Sequence, residues 1–246
     1  ACNISSQIRL FADDCVIYKE ITCPTDNTIL QSDLDRLAEW CDTWQMEINI
    51  EKTKHLEFSS ALIPLHKSYT INDIRIDSVQ SFKYLGVFST ANLNWTTHIE
   101  HITTKAIKKL GILKRRLYLA NKESRLHAYV SLIRPSLEYA SIIWHPHTEN
   151  LNYLVESVQN KAARFITSSY SPYESVSFIL KSLNLPSLAT RRKLARLSNF
   201  HSLFHSNSQF ARKHILPPSH ISARVDHPNK VNPIFPRTKK NTKTRP

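Results

Sequence analysis

The sequence lacks cysteine after residue 41, and it has no apolar run of the roughly 18 residues that a membrane span needs. Its four cysteines are Cys2, Cys15, Cys23 and Cys41, with no CxxC spacing, and three lie in apolar patterns typical of reduced core residues. These absences exclude a disulfide framework, a zinc site and a membrane partner. No charged-then-apolar signal segment opens the chain either, so we expect a soluble, intracellular protein. Because Ala1 leads directly into a strand pattern, we expect a natural N-terminus further upstream.

Acidic residues are scarce relative to basic ones. Thirty-three Lys and Arg face 20 Asp and Glu, which gives a net charge of +13, and the isoelectric point is near 9.7. This balance fits a phosphate-rich partner, although an ordinary basic surface would give the same total. Residues 207–246 hold nine of the basic residues, six of the 12 prolines and a single acid, Asp226. We expect a disordered or loosely attached cationic tail there, for which nucleic-acid contact and simple solvation are equally good explanations.

The hydrophobic content of 41% in 246 residues is that of a globular protein with one or two domains. From Ile8 to Ile17 the pattern predicts two short strands, with the adjacent acids Asp13 and Asp14 at the turn between them. A Pro24, Thr25, Asp26 start signal then opens an amphipathic helix. Its apolar stripe is Leu30, Leu34, Leu37, Cys41 and Trp44.

Three strand signals follow: "HLEFSS", a hairpin about Asn72 and Asp73, and "SFKYLGVFS", a strand ending near Gly86. After Trp95 the pattern becomes helical. Five helical segments are separated at Asn121, Pro146, Pro172 and Pro186, and Pro135 should kink the second. The prediction is an α+β region over residues 1–92, an all-helical region over 93–206 and the basic tail over 207–246.

The Asp13–Asp14 pair interrupts an apolar run, where neighbouring carboxylates repel and need open water or a positive partner. A tight turn lets both approach one divalent metal from the same side. Two Mg²⁺ ions could then activate an attacking hydroxyl and steady a leaving pyrophosphate, as in nucleotidyl transfer. On the pair alone, an exposed acidic turn is the simpler explanation.

The order in which four segments follow one another is more specific than the acid pair alone. "FADD" at 11–14, "LQSDLDRLAEWCDTWQMEINIEKTK", "FKYLG" at 82–86 and the helices after Trp95 together resemble the reverse transcriptase of non-LTR retrotransposons, most closely the jockey-like group. The resemblance runs from about Ile8 to about His205. It implies the C-terminal part of a polymerase palm followed by a helical thumb and its extension.

The resemblance also implies roles. Asp13 matches a catalytic metal ligand for Mg²⁺ or Mn²⁺, and Asp14 matches the adjoining acid. Lys52, in "INIEKTK" with Asn49, matches a lysine that protonates the departing pyrophosphate, a sensible place for a cation. Lys54 could take that role instead, and Lys52 could equally be a solvated loop lysine.

The segment that the resemblance identifies as the primer grip comprises Phe82, Lys83, Tyr84, Leu85 and Gly86, although Phe82 and Tyr84 could equally be core residues. The residues expected to bind nucleic-acid phosphates are Lys105, Lys108, Lys109, Lys114, Arg115 and Arg116, for which a solvated helix face is the alternative. For the basic residues of 191–196, too, phosphate binding and a solvated helix face are the two alternatives. Histidines 127, 145, 147, 201 and 205 show no ligand spacing and should be structural or exposed.

The expected function is RNA-directed DNA polymerisation with an RNA template, a DNA primer and deoxynucleoside triphosphates, acting in the nucleus for the parent element. A further catalytic aspartate and the fingers should lie upstream, so the chain alone should be inactive. No endonuclease or ribonuclease H pattern occurs. A non-catalytic nucleic-acid-binding fragment and a degenerate transposon relic remain the alternatives.

Overall fold

The computed structural model describes residues 4–59 and 67–206, together with 211, 215–216, 220–222, 227 and 230–232. In the first half the elements are β1 (Gln7–Phe11), β2 (Asp14–Tyr18), α1 (Pro24–Thr43), β3 (Lys54–His55), β4 (Thr70–Ile71), β5 (Ile74–Arg75), β6 (Asp77–Ser78), β7 (Ser81–Tyr84) and β8 (Val87–Thr90). Within the described ranges the strands form three antiparallel hairpins and one parallel pair, β3 with β6. This mixture of helices and small sheets agrees with the predicted α+β class.

The β1–β2 hairpin confirms the prediction of two strands around the acid pair. Phe11 pairs with Asp14, so Ala12 and Asp13 form a two-residue turn. Two-residue turns match the twist of antiparallel strands when a central residue has positive φ, and Ala12 has a φ of 51°.

Helix α1 begins at Pro24, as its start signal predicted. The Asp26 carboxylate accepts the Cys23 N–H, and proline at the first helical positions loses no hydrogen bond. Leu30, Leu34 and Cys41 are buried. Trp44 was wrongly assigned to the buried stripe: it lies just past the helix end and is 66% exposed.

Asp33, on α1, joins the hairpin to the helix. Its side chain is fully buried and accepts the backbone N–H groups of Ser5 (3.1 Å) and Ser6 (2.7 Å), which lead into β1. Arg36 lies 3.3 Å from the same carboxylate. Burial alone would raise the pKa of Asp33, but hydrogen bonds from Ser6 and Ser5 and the Arg36 guanidinium lower it below its usual value. The ionised carboxylate therefore satisfies two backbone donors at the entry to the hairpin.

The remaining strands are shorter than the sequence predicts. "HLEFSS" contributes only His55 to β3, and its last residue lies outside the described part. The hairpin about Asn72 and Asp73 is confirmed, since both have positive φ, as a type I′ turn requires. "SFKYLGVFS" is two strands rather than one, because the chain turns at Leu85 and Gly86 between β7 and β8.

One hydrophobic cluster lies under the first half of the chain. Its buried members are Leu30, Leu34, Ala38, Tyr69, Ile71 and Ile76. Ile17 of β2, with Ile48 and Ile50 of the segment after α1, packs against it. The hairpin and the Lys52 segment therefore share one core.

The second half is helical, with α2 (Thr96–Arg116), α3 (Lys122–Ala128), a π-helical turn (Tyr129–Ile133), α4 (Arg134–Glu138), α5 (Glu149–Thr167), α6 (Val176–Ser182) and α7 (Leu188–His205). The π turn explains the kink expected at Pro135. Proline lacks an N–H and its ring displaces the preceding turn, and here the Arg134 N–H reaches back five residues to the Tyr129 carbonyl. This helix ends at Glu138, earlier than the pattern through Trp144 predicts.

A larger hydrophobic cluster fills the helical region, and α5 lies at its centre in contact with α2, α3, α6 and α7. Tyr129 and Gln159 are both buried and their side chains hydrogen-bond at 2.8 Å. Trp144 is fully buried, and its indole N–H donates to the Tyr139 carbonyl at 2.9 Å. The polar atoms of these large side chains are thus satisfied inside the core.

His98 connects β8 to this helical core. It is 1% exposed, its Nδ1 accepts the Phe88 N–H at 3.3 Å, and its ring meets Trp144 edge to face at 5.2 Å. Its Nε2 has no acceptor among the described residues. Burial, with smaller contributions from His101 and Lys83, lowers the pKa of His98 to about 4.

The prediction of core cysteines is wrong for two residues. Cys41 is buried, but Cys15 and Cys23 are exposed. No helix in the described ranges has the length and apolarity to cross a membrane. Most of the predicted tail, 207–246, lies outside the described residues.

Replacing Asp33 by alanine should lower the free energy of unfolding by about 2–4 kcal/mol, because two buried N–H groups lose their acceptor. Asp33→Asn should lower the free energy of unfolding by less, since one side-chain oxygen remains as an acceptor. Urea titration measures both, and Asp42→Ala, an exposed carboxylate on the same helix, should change stability by less than about 0.5 kcal/mol. Equal effects of Asp33→Ala and Asp42→Ala would contradict the anchoring role.

Stability should fall with acidification through His98. The folded state keeps this imidazole neutral down to about pH 4, whereas the unfolded chain protonates it near 6.5, so stability is full above pH 6.5 and is lost as the pH falls towards 4. The expected loss is about 3 kcal/mol. His98→Gln should flatten the pH profile of unfolding over this interval, while His127→Gln, at an exposed histidine, should leave its slope as it is.

Candidate functional site

The acid pair lies at the exposed tip of the β1–β2 hairpin. Asp13 is in the turn and Asp14 opens β2, and both are exposed. Ala12 adopts a left-handed φ of 51°, which costs a non-glycine residue about 1–2 kcal/mol. Strained backbone of this kind is concentrated at functional sites. The turn therefore presents two hard oxygen ligands to solvent on a constrained backbone.

These carboxylates suit magnesium better than a metal that requires a closed protein cage. Within the described ranges no group of three or more His, Cys, Asp or Glu side chains could hold a metal. Mg²⁺ commonly binds through one or two carboxylates, with water and substrate phosphates completing its shell. Asp13 and Asp14 fit that donor set.

The Lys52 segment folds as a compact turn between Ile50 and β3. Asn49 organises it: its Oδ1 accepts the Lys52 N–H at 2.9 Å, and its carbonyl accepts the N–H and the hydroxyl of Thr53. The Lys52 side chain is exposed. Asp13, Asp14 and Lys52 are all exposed, and the hairpin and the Lys52 segment are related through Ile17, Ile48 and Ile50, which pack against one hydrophobic cluster.

Lys54 has a different environment. Its Nζ lies 2.7 Å from the Asp77 carboxylate across the parallel β3–β6 pair. This hydrogen bond and charge lower the pKa of Asp77. The ammonium of Lys54 is thus engaged within the sheet, which favours Lys52 over Lys54 as a proton donor.

The predicted grip segment forms the β7–β8 hairpin. Phe82 and Tyr84 are half-buried and Lys83 is exposed, as alternation along a strand requires. At the turn, Leu85 has a φ of 44° and Gly86 a φ of 84°, and a Cβ on Gly86 would lie 3.3 Å from the Tyr139 ring. The Tyr139 hydroxyl donates to the Leu85 carbonyl at 2.9 Å. Both backbone conformation and close approach require glycine here.

Aromatic contacts bring the grip hairpin and α2 together. Lys83 Nζ lies 5.5 Å from the centre of the Phe88 ring, and Phe88 meets His101 of α2 edge to face at 5.0 Å. Burial first, and then the charges of Lys83 and Lys105, lower the pKa of His101. Lys83 and Lys105, which the sequence assigned to separate motifs, therefore both lower the pKa of one imidazole.

The predicted basic residues of α2 are distributed around the helix. Successive residues rotate by about 100°, so Lys105, Lys109 and Arg116 flank one side of the buried stripe, Lys114 flanks the other side, and Lys108 and Arg115 lie opposite the stripe. Lys114 Nζ lies 5.9 Å from the centre of the Tyr170 ring. Lys109 Nζ donates to the Leu132 carbonyl at 3.2 Å. We call the basic residues other than Lys114 the basic strip; it comprises Lys83, His101, Lys105, Lys108, Lys109, Arg115 and Arg116.

Two residues of this region escaped sequence reasoning. His101 precedes Lys105 by one turn and Lys108 by two, so helical periodicity could have identified it. Tyr139 had no such signal, because its contact with Leu85 joins residues 54 positions apart.

Comparisons with known proteins agree with these motifs. The chain is 30% identical over 170 residues to the probable RNA-directed DNA polymerase from transposon X-element of Drosophila melanogaster. The matched region covers 66% of this chain and 18% of that protein. It is 28% identical over 137 residues to the RNA-directed DNA polymerase from mobile element jockey of Drosophila funebris, a match that covers 54% of this chain and 15% of that protein. It is 26% identical over 168 residues to the probable RNA-directed DNA polymerase from transposon BS of Drosophila melanogaster, a match that covers 65% of this chain and 18% of that protein.

The matched region spans less than a fifth of the length of these relatives. No family model and no solved structure matches the chain. Over about two thirds of its length, this chain is similar to part of the RNA-directed DNA polymerases of Drosophila non-LTR elements, which confirms the resemblance that its motifs predicted.

Proposed function

We propose that this chain is the section of an RNA-directed DNA polymerase that presents an acid pair to the reacting phosphates and holds the primer–template duplex. In the whole protein it would lengthen a DNA primer on an RNA template. The observation that carries the proposal is the exposed Asp13–Asp14 tip on a two-residue turn, in a chain similar to polymerases of mobile elements.

In this proposal Asp13 and Asp14 hold Mg²⁺ or Mn²⁺. When bound, such ions activate the attacking hydroxyl and stabilise charge on the departing pyrophosphate. Asp13, in the turn, is the principal ligand, and Asp14 supplies the adjoining negative charge. Lys52, exposed at its turn, donates a proton to the pyrophosphate.

The basic strip binds backbone phosphates, so it confers affinity without preference for sequence. Lys83 contacts the primer strand at the grip hairpin. Gly86 supports this contact indirectly, because its positive φ closes the turn and its missing Cβ leaves room for the Tyr139 ring. Tyr139 acts through the Leu85 carbonyl and positions the turn.

A non-catalytic nucleic-acid-binding role is the second candidate. It is favoured by the basic strip, which is assembled from residues of this chain alone and needs neither a metal nor a further catalytic aspartate to bind phosphates. Primer extension separates the two candidates.

We also propose that the chain is divided near residues 92 and 206 and that it acts inside the cell. The two separate hydrophobic clusters support the first boundary, since Trp95 packs with the helical cluster. Copying RNA into DNA requires nucleotide substrates, which supports the intracellular setting.

Asp13→Asn should reduce primer extension by more than about a thousandfold, because loss of a metal ligand removes several kcal/mol of charge stabilisation. The assay uses an RNA template, a DNA primer and Mg²⁺, with the chain joined to the fingers and the further aspartate-bearing strand that the resemblance implies. Asp73→Asn is the matched control, since it removes an exposed carboxylate from another hairpin turn. Undiminished extension by Asp13→Asn would refute the metal-ligand role.

Lys52→Ala should slow single-nucleotide addition by about a hundredfold, the usual contribution of a general acid. Lys54→Ala should slow it by less than about threefold, because its ammonium is committed to Asp77. Rapid-quench kinetics measure both rates. The reverse order of effects would transfer the proton-donor role to Lys54.

A further inference from the structure

Helix α7 places a buried arginine, Arg192, and a half-buried one, Arg196, at its junction with α5 and the loop that follows α4. Arg192 is 1% exposed, and its Nη2 donates to Asn152 Oδ1 at 2.6 Å. In the described part of the chain, its Nε and Nη1 have no acceptor. The Nε of Arg196, one turn further along α7, is also buried without an acceptor there. Such groups are rare, and each needs a partner such as a bound ion or water.

The acids around these arginines are already engaged. Glu156 lies 4.0 Å from Arg192, but its two oxygens accept the N–H groups of Leu188 and Ala189 at the start of α7. Glu138 is ion-paired with Arg191. Positive charge at Arg192 and Arg196 is therefore only partly neutralised, and like charges four residues apart on a helix repel.

The surrounding side chains add to this positive environment. The Arg192 guanidinium lies 5.8 Å from the centre of the Trp144 ring, which holds its orientation. Burial first, then Arg196, Arg192 and His147, lower the pKa of His145. His145 is exposed and Arg196 half-buried, so these two side chains form the solvent-facing side of the group, whereas the three nitrogens without acceptors are buried. We call Trp144, His145, Arg192 and Arg196 the α7 cluster.

We propose that the α7 cluster is a binding site for a phosphate oxyanion, occupied by a backbone phosphate of a nucleic-acid strand. Three buried guanidinium nitrogens without acceptors and two guanidinium charges match the several acceptor oxygens of a phosphate, which reaches them when the solvent-facing side chains of His145 and Arg196 move aside. The oxyanion site stands on the local geometry alone. Its assignment to nucleic acid rests on the proposed function.

The first test uses inorganic phosphate with the 246-residue chain. Phosphate should raise the melting temperature by about 3 °C more than sodium chloride at equal ionic strength. Arg196→Gln should abolish this increment, and Lys193→Gln, which removes an exposed charge from the same helix, should retain it. No phosphate-specific increment in the parent chain, or equal losses in the two variants, would overturn the site.

A second measurement uses the parent chain alone and so does not depend on the folding of variants. Phosphate should shift the ring-proton NMR signals of His145 and raise the pKa of this residue, since an anion offsets Arg196 and Arg192. The signals of exposed His127 should not move. If the cluster is purely structural, phosphate will leave the ring-proton signals of both histidines unchanged, and that result would overturn the proposal.

The third arm identifies the source of the phosphate. Arg196→Gln should weaken binding of an RNA–DNA hybrid about tenfold and Lys193→Gln about twofold, measured by fluorescence anisotropy. If phosphate binds but Arg196→Gln leaves hybrid affinity unchanged, the assignment to nucleic acid is wrong. If the parent chain binds phosphate but no hybrid, the proposed function fails while the oxyanion site stands.

Discussion

The buried carboxylate of Asp33 is the contact on which the position of the acid pair depends. It accepts two backbone N–H groups just before β1, so the hairpin that carries Asp13 and Asp14 is tied to α1 through a charge that water cannot screen. Ile17 adds an apolar contact to the same core. A hairpin alone is only marginally stable in water, so this attachment gives the tip a defined place.

The second half of the molecule positions the grip hairpin in a comparable way. His98 accepts the Phe88 N–H inside the helical core, and Tyr139 holds the Leu85 carbonyl at the turn. These contacts come from α2, which directly follows the hairpin, and from the end of α4, which is 54 residues away from Leu85. They hold Lys83 near α2, where it and Lys105 both lower the pKa of His101.

Local chemistry made much of this fold predictable. The start of α1 at Pro24, the type I′ turn at Asn72 and Asp73, and the disturbance at Pro135 each follow from the conformational limits of one or two residues. Errors arose where burial decided the outcome. Trp44 follows helical spacing yet lies beyond the helix end, and Cys15 alternates with apolar residues on a strand whose outer side is exposed.

The sequence by itself determined which residues could do chemistry: an acid pair at a turn, a glycine at a second turn and a basic helix, since side-chain type and local spacing are written in the chain. Only the tertiary structure decided which of them act together. It placed Lys114 against the Tyr170 ring, engaged Lys54 with Asp77, and brought Lys83 close enough to His101 to lower the pKa of that imidazole together with Lys105. Those outcomes depend on contacts between residues far apart in sequence, which local propensity does not encode.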